Sequence, residues 1–311
     1  MVPQDPAPAA PTVKDSRGPH DHRINGSTFF VLLLPDAQLL SHSDNDPLHG
    51  QSDPVGAGRK PEVMPRKIFT LAQRPDLAPY VRRIPPSMLP EFMLHDAVAE
   101  RHWPLLFTSF ADFQIALCDE TETVIAAGHT IPIVWDGTVA GLPAGWDTAL
   151  ERGVHDHAYQ RQPTTLCALL AVVAPDHQGQ GLSSQILRGM RTIAAKHGFK
   201  ALVAPVRPTL KSRYPLTPMD RYVRWQRADG TPFDPWLRTH AKLGAELLRI
   251  APQSMVITGT VAEWEAWTAM RFPESGAYVV SGALQPVNID CERNLGRYED
   301  PNVWMRHAIG A

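Results

Sequence analysis

The sequence predicts an α/β protein, and three of its features indicate that class. Residues 165–206 form a unit of strand, glycine-rich turn, helix and strand. Two strand-like segments joined by a polar turn precede this unit, and several short β-rich segments follow it. Strands interspersed with helical segments in this way are typical of a sheet covered by helices.

The first half of the regular region predicts a strand, a helix, a β-hairpin and a second helix. Residues 67–72 alternate like a strand, and residues 85–100 carry apolar side chains at helical spacing. Residues 109–117 and 124–134 are β-branched or aromatic stretches with a polar turn between them. A short helix is expected near 147–160.

The central unit has the clearest pattern. Thr165–Val173 is a continuous apolar run, which is typical of a strand buried on both faces. After the turn at 178–181, apolar side chains recur at helical spacing over 182–194, and Gly198 stands where a C-terminal cap belongs. Ala201–Val206 has the composition of another buried strand.

The C-terminal third predicts helices and strands in alternation. A helix is expected over 234–248, with Asp234 as its N-cap and Pro235 in its first turn. A strand over 255–260 and a short helix over 261–270 follow. Further strands are expected at 278–280, 287–290 and 301–305.

The N-terminal segment differs in composition from the rest of the chain. Residues 1–63 are rich in Pro, Asp, His, Ser and Gly and contain little apolar surface to bury. Such a segment cannot offset the entropy lost on ordering. We therefore predict a disordered extension over 1–63 and one folded domain over 64–311.

The charge balance and the hydropathy pattern exclude several partners. The 311 residues include 30 basic and 32 acidic side chains, a net charge of −2. This balance disfavours a nucleic-acid partner and predicts no attraction to an anionic membrane. The apolar run at 29–34 is too short to span a bilayer and ends at Pro35. We expect a cytoplasmic protein, either a monomer or a homodimer.

The cysteines and the clustered histidines do not predict a metal site. Cys118, Cys167 and Cys291 are far apart, odd in number and form no CxxC pair. The sequence His-Asp-His at 155–157 has two histidines separated by one residue, which is a weak ligand spacing. We interpret that segment as a solvated loop and expect no metal.

The glycine-rich turn at 178–181 predicts an anion-binding site. A turn of this kind lets backbone N–H groups converge, and the following helix adds its unpaired first-turn amides and the positive end of its dipole. Together these groups suit a pyrophosphate. Because no Lys-Ser or Lys-Thr follows the glycines and the spacing is not GxGxxG, a P-loop and a Rossmann site are both disfavoured.

Residues 173–187, VAPDHQGQGLSSQIL, resemble motif A of the GNAT superfamily of N-acetyltransferases, V-x-P-x-x-Q/R-G-x-G-x-G/A. Ser183 stands where the family usually has Gly or Ala, and residues 237–245, LRTHAKLGA, resemble the later L-Y-x-K-L-G-F helix. The resemblance extends over about 67–310. The positions that match motif A are Val173, Pro175, Gln178, Gly179 and Gly181.

The resemblance implies a fold and an activity. The fold would have a central mixed, mostly antiparallel sheet that splays at the acyl-CoA site, with helices on both faces. The chain would move an acetyl or other acyl group from acyl-CoA to an amine of a small acceptor, by direct attack in a ternary complex. A carrier protein or an aminoacyl-tRNA as donor, and an acyl-CoA sensor without catalytic activity, remain as alternatives.

The resemblance also implies which residues hold the acyl-CoA. The pantetheine arm would pair with the backbone of Ala171, Val172 and Val173. The pyrophosphate would sit on the amides at the start of the helix, with the Ser184 hydroxyl as a further donor. The residues that would supply these amides are Gln178, Gly179, Gln180, Gly181, Leu182 and Ser183.

Several residues are candidates for proton transfer. The family often uses a tyrosine of the later helix as general acid, and His240 occupies that position here, although a packing role explains it equally well. Tyr214 and Tyr222 are alternative acids. For the general base the candidates are His129, the histidines of 155–157 and a chain of waters.

Basic residues near the end of the strand at Ala201–Val206 predict a site for the acceptor. Arg213, Arg221 and Arg224, with Arg207 and Lys211, concentrate positive charge there. A carboxylate or phosphate on the acceptor would pair with these groups. The CoA 3′-phosphate and a plain solvated basic face are the other two interpretations.

Overall fold

Nine strands form one mixed sheet in the computed structural model, which describes residues 66–82 and 89–310. The predicted extension over 1–63 lies outside these residues. The strands are β1 (Lys67–Thr70), β2 (Gln114–Cys118), β3 (Val124–Ile133), β4 (Thr165–Val173), β5 (Ala201–Val206), β6 (Glu246–Gly259), β7 (Gly276–Tyr278), β8 (Val287–Asp290) and β9 (Leu295–Ala308).

The strand order is β1-β2-β3-β4-β5-β9-β8-β7, and β6 also pairs with β9. Neighbours are antiparallel except β4 and β5, which are parallel. The sheet is therefore mixed and mostly antiparallel, as predicted.

Seven helices accompany the sheet in the described residues, and they cover both of its faces. Helix α4 packs on one face through Ile186 and Met190, which share a core with Ile115 of β2 and Leu166 of β4. Trp146 of α3 lies in the core of the other face. The helices are α1 (Ala78–Val81), α2 (Ala97–His102), α3 (Trp146–Ala158), α4 (Leu182–Lys196), α5 (Met219–Tyr222), α6 (Pro235–Lys242) and α7 (Val261–Thr268).

None of the helices in the described part of the chain combines the length and the apolar character needed to cross a lipid bilayer. The helix at 146–158, the strands β4, β5 and β8, and helix α7 confirm the corresponding predictions to within two residues. The β2–β3 hairpin is confirmed as well, although β2 begins at Gln114 because residues 111–113 form a 3-10 turn.

The predicted helix over 85–100 is wrong. Residues 83–88 lie outside the described residues, Glu91–His95 form a 3-10 turn, and α2 begins only at Ala97. The interruption has a local cause, because the side chain of Asp96 accepts a hydrogen bond from the Ala99 amide and caps α2.

The predicted helix over 234–248 is also too long. Helix α6 ends at Lys242, and Gly244 has a φ of +81°, a left-handed conformation that stops a helix. From Glu246 the chain is a strand, and β6 extends over 14 residues that include all but the last residue of the predicted strand at 255–260. Long pairing with β9 outweighs the helical pattern of residues 246–248.

A buried pair of carboxyl groups joins α2 to α3. Besides capping α2, Asp96 interacts with Asp147, whose Oδ2 accepts a hydrogen bond from the Val256 amide at 3.0 Å. The remaining oxygens of both side chains are buried. Burial raises the pKa of both groups, and the charge of Asp96 raises the pKa of Asp147 further. The buried pair is therefore more stable with Asp147 protonated than with both carboxyl groups charged.

Replacing Asp147 by Asn should flatten the dependence of stability on pH. The folded-state pKa of Asp147 is raised, so its stabilisation is fully present below the unfolded pKa, near about 4, and is lost as pH rises through the folded pKa. Asn keeps an acceptor for Val256 and puts an N–H where the proton was. Free energies of unfolding in urea, measured from about pH 5 to pH 8, should fall less steeply in Asp147→Asn, by up to about 1.4 kcal/mol per pH unit. Equal slopes would show that Asp147 is not protonated in the folded protein.

Candidate functional site

The parting of β4 and β5 creates a cleft in the middle of the sheet. The two strands pair only at Leu166 with Leu202 and at Cys167 with Val203. Beyond that point Pro205 has no N–H to donate, and a register shift between β3 and β4 leaves Leu169 as an extra residue. Each strand then pairs with its outer neighbour alone, so the gap between them stays open.

The cleft has apolar walls and two basic side chains. It encloses about 340 Å³ of empty space, including its mouth. Ala171 lines it, whereas Val172 and Val173 do not. The lining residues are Ala168, Leu169, Leu170 and Ala171 of β4, Leu187 and Met190 of α4, Ala204, Pro205, Val206 and Arg207 at the end of β5, and Trp236 and His240 of α6.

The glycine-rich turn leads from β4 into α4, one of the walls of this cleft. A 3-10 turn at Pro175–His177 ends β4, and Gly179 and Gly181 then adopt φ angles of +81° and +69°. Both glycines are exposed. Gly181 is the N-cap of α4 and offers no side chain to its first-turn amides. The helix therefore presents N–H groups and its positive dipole end at the surface, an arrangement that binds anions.

Helix α4 holds this turn rigidly because one of its faces is fully buried. Leu182, Ile186, Met190 and Ile193 recur at intervals of three or four residues, and each is 6% exposed or less. The side chains at the start of the helix behave differently, since Ser183 and Ser184 are only partly buried. Outside the helix, the Gln180 side chain accepts a hydrogen bond of 2.6 Å from Arg66.

His240 is the titratable residue of α6 that faces the cleft. Its Nδ1 lies 3.0 Å from Nε2 of His307 on β9, and its Nε2 is buried without a hydrogen-bond partner in the described structure. Burial, followed by the His307 ring, lowers the pKa of His240 well below its ordinary value. The ring is therefore neutral near pH 7.

Asp234 places α6, and with it His240, against the rest of the domain. Its Oδ1 accepts from the amides of Trp236 and Leu237 and so caps the helix. Its Oδ2 accepts from the Leu210 amide at 2.9 Å and from the Tyr222 hydroxyl at 2.8 Å. One carboxylate thus fastens the helix to the segment between β5 and α6.

The two tyrosine candidates lie in an aromatic cluster apart from the cleft lining. Tyr222 is 1% exposed, its hydroxyl is bound to Asp234, and burial and that carboxylate raise its pKa. The ring of Tyr214 packs edge-on against Trp225 at 4.9 Å and against Phe233 at 5.9 Å. Neither ring is brought to His240.

His129 faces the side of the sheet away from α4. Its ring packs against Trp103 and Phe107 at 5.1 and 5.5 Å, and its Nδ1 lies 3.2 Å from Oε1 of Gln114. Burial lowers its pKa to about 3. The interpretation of 155–157 as a solvated loop is wrong, because the segment belongs to α3, where Asp156 is buried and accepts a hydrogen bond from the Val134 amide. Among the described residues, no cluster of side chains is arranged to hold a metal ion.

A curated protein that resembles this chain indicates its family. Arginine N-acetyltransferase avaD of Aspergillus versicolor is 33% identical to it over 273 residues, which cover 77% of this chain and 93% of that protein. With the motif at 173–187, this relationship decides the assignment. The chain belongs to the GNAT superfamily. It is an N-acyltransferase, and acyl-CoA is its co-substrate.

Two solved structures are similar to this chain over much of their length. The match to the loading GNATL domain of CurA from Lyngbya majuscula covers 66% of this chain and 80% of that domain, at 17% identity and a TM-score of 0.41. The match to the protein yncA of Salmonella typhimurium, solved with acetyl-CoA, covers 79% of this chain and 95% of yncA, at 13% identity and a TM-score of 0.35. No family model matches the chain.

The predicted acceptor arginines of this GNAT enzyme lie outside the cleft lining. Arg213, Arg221 and Arg224 are all exposed, and Arg224 lies 4.0 Å from Asp220. Arg207 does line the cleft. Lys211 is fully buried, donates to the carbonyls of Tyr214 and Leu284, and has a pKa lowered to about 8 by burial.

Two residues of β9 contribute to the site and were not predicted from the sequence. His307 contacts His240, and Asp300 accepts from Nε of Arg207 at 2.9 and 3.1 Å. Tyr298 and Asn302 donate to the same carboxylate. These residues follow no recognisable spacing, and the pairing of β9 with both β5 and β6 brings them to the cleft.

Removing the carboxylate of Asp300 should destabilise the GNAT domain severely. Asp300 is fully buried and its partner Arg207 nearly so, and a buried cation left unpaired costs about 3 to 5 kcal/mol. Glu246→Ala is the matched control, because its ion pair with Arg306 is exposed and should contribute less than about 1 kcal/mol. Urea denaturation of Asp300→Ala and Glu246→Ala compares the two losses. Similar losses would show that the buried pair is not a special stabilising contact.

Proposed function

We propose that this enzyme transfers an acetyl group from acetyl-CoA to an amino group of a small amino-acid acceptor, with arginine as the first candidate. The observation that carries the proposal is the cleft between β4 and β5, which has an exposed helix N-terminus beside it. The choice of arginine is supported by the name of the relative from Aspergillus versicolor.

In this proposal the chain holds the acyl-CoA with backbone groups. The amides of residues 179–183 and the Ser184 hydroxyl bind the pyrophosphate, and the strand edge at 171–173 pairs with the pantetheine arm. The amide of Gln178, which is among the donors predicted from the sequence, already donates to the Pro175 carbonyl at 3.3 Å. The position of Ala171 in the cleft lining and the free end of α4 support this assignment. The apolar walls exclude water from the thioester.

The transfer requires a group that accepts or donates a proton during the reaction. Acyl-CoA supplies an activated thioester. The acceptor nitrogen forms a bond to the carbonyl carbon as the carbon–sulfur bond breaks, and one proton leaves the amine while one ends on the thiol. His240 is our candidate for this task, because its unpartnered Nε2 belongs to a cleft-lining side chain.

The acceptor would enter beside Arg207, a fixed positive charge among the cleft-lining residues. Asp300 fixes the direction of that guanidinium through two hydrogen bonds. An α-carboxylate on the acceptor is drawn to such a group. Arg213, Arg221 and Arg224 remain candidates for an outer contact with the acceptor or with the CoA 3′-phosphate.

A coupled thiol-release assay tests the function. The purified chain is incubated with acetyl-CoA and arginine, and then with a panel of other amino acids and amines, and the products are identified by mass spectrometry. Release of thiol with an acetylated amine supports the proposal. Binding of acetyl-CoA without turnover on any acceptor would indicate a sensor, and turnover only with other amines would overturn arginine.

Gly179→Asp should weaken acetyl-CoA binding by placing a negative charge in the pyrophosphate site. Gly179→Asn is the matched control, since Asn has the same shape and tolerates the same left-handed backbone. Repulsion between the new carboxylate and the bound phosphates costs about 1 kcal/mol or somewhat more near the protein surface. We expect KM for acetyl-CoA to rise about tenfold in Gly179→Asp relative to Gly179→Asn, with similar melting temperatures. Equal KM values would place the pyrophosphate elsewhere.

His240→Ala should lower kcat by about 10²- to 10⁴-fold, because it removes the proposed proton-transfer group. Tyr214→Phe and Tyr222→Phe should leave kcat near the wild-type value. Tyr222→Phe should cost about 1 kcal/mol of stability through the lost bond to Asp234. Steady-state kinetics of the three variants rank the candidates, and a larger loss in either tyrosine variant than in His240→Ala would reassign the role.

A further inference from the structure

A buried pair of histidines joins α6 to β9 at the wall of the cleft. His240 Nδ1 and His307 Nε2 are 3.0 Å apart, and both side chains are 1% exposed. The other two ring nitrogens, His240 Nε2 and His307 Nδ1, have no hydrogen-bond partner in the described residues. Since His240 lines the cleft, its Nε2 is the polar atom that this side chain can offer to a substrate.

The proton between the two rings belongs to only one of them. If His240 donates from Nδ1, its Nε2 carries a lone pair, whereas if His307 donates, Nε2 of His240 carries a proton. A neutral His240 can accept the proton of an attacking amine at Nε2 only in the first arrangement, in which its own proton lies on Nδ1 and the lone pair of His307 Nε2 accepts that proton. The acyl transfer therefore requires His240 to be the donor of the pair.

We infer that His307 is a positioning residue that keeps the proton of His240 on Nδ1 and thereby makes its Nε2 the general base of the reaction. The inference rests on the acyl transfer proposed above. It changes the role suggested by the family's tyrosine position, because His240 would accept the proton of the amine before it donates one. His307 acts only through His240.

The histidine pair returns to its starting protonation state at the end of the step. Nε2 of His240 takes one proton from the attacking amine as nitrogen bonds to the thioester carbon, and the electron pair of the carbon–sulfur bond stays on sulfur. The resulting imidazolium keeps donating from Nδ1 to His307. The proton then passes from Nε2 to the thiolate, which restores a neutral His240 and leaves a neutral thiol.

The charges around the pair keep it neutral before the reaction. Arg191 of α4 donates to the Leu243 carbonyl at 3.1 Å, and, after burial, its charge helps to lower the pKa of His307 to about 4. No carboxylate among the described residues forms an ion pair with either ring. The other nearby cations are held by partners, Arg207 by Asp300, Arg306 by Glu246, and Arg238 by the carbonyls of Pro232 and Phe233.

His307→Gln and His307→Glu form a matched pair that tests the inference. Both place an oxygen near the position of Nε2, and they differ by one negative charge. His307→Glu should raise the pKa of His240 and move the pH at which kcat rises upward by about 1 to 3 units. His307→Gln should leave that pH close to its wild-type value. The measurement is kcat as a function of pH, with KM for acetyl-CoA expected to stay the same in both variants.

His307→Leu removes the acceptor and should lower kcat by about 10²-fold without changing KM. His307→Gln should recover most of this loss, because it restores an acceptor. A wild-type kcat in His307→Leu, or equal losses in all three variants with an unmoved pH profile, would reduce His307 to a packing residue.

The protonation of the wild-type protein can be observed directly, which covers the case in which the variants fail to fold. A two-bond ¹H–¹⁵N correlation spectrum of the imidazoles, assigned with His240→Gln, should show the proton of His240 on Nδ1. A proton on Nε2 overturns the inference. This spectrum needs no acceptor, so it stays informative if arginine and the other amines prove not to be substrates. Normal turnover in His307→Leu would instead refute only the role of His307.

Discussion

The short parallel contact between β4 and β5 is the constraint on which the site depends. β4 and β5 must pair at one end in order to lie side by side, yet pairing along their whole length would leave no gap between them. Two residue pairs hold the strands together at one end. Beyond them, the antiparallel partners β3 and β9 satisfy one edge of each strand, and the inner edges stay open. A ligand with its own hydrogen-bonding groups is the natural partner for such edges.

Around the cleft, backbone groups are proposed to bind the anion and side chains are proposed to transfer the proton. In the proposed site, the anion binds at a helix end that is exposed at its start and buried along one face, so this end is both accessible and rigid. The proposed proton transfer uses side chains of α6 and β9, where burial keeps the imidazole rings neutral. The positive charge of Arg207 is balanced by a buried carboxylate, so the cleft carries a directed guanidinium without a large net charge.

Features that depend on local interactions were predictable from the sequence, whereas features that depend on contacts distant in sequence were not. The strand at Thr165–Val173 and the helix from Leu182 were predictable because their patterns depend on local burial and on a glycine turn. Residues 246–248 look helical, yet long-range pairing with β9 makes them a strand. The contact of His307 with His240 spans 67 residues of sequence, and no local spacing encodes it. Likewise, the exposed arginines looked like a charge cluster because sequence proximity does not reveal which way side chains point.

Asp234 couples the position of α6 to that of the segment between β5 and α6. The same carboxylate caps α6 and accepts hydrogen bonds from the Leu210 amide and the Tyr222 hydroxyl. A shift of the segment between β5 and α6 would therefore also move the helix that carries His240. A ligand that displaces this segment would therefore also change the position of the His240 imidazole, the proposed proton-transfer group. A compound that binds against this segment from outside the cleft would then inhibit the enzyme without competing with acyl-CoA.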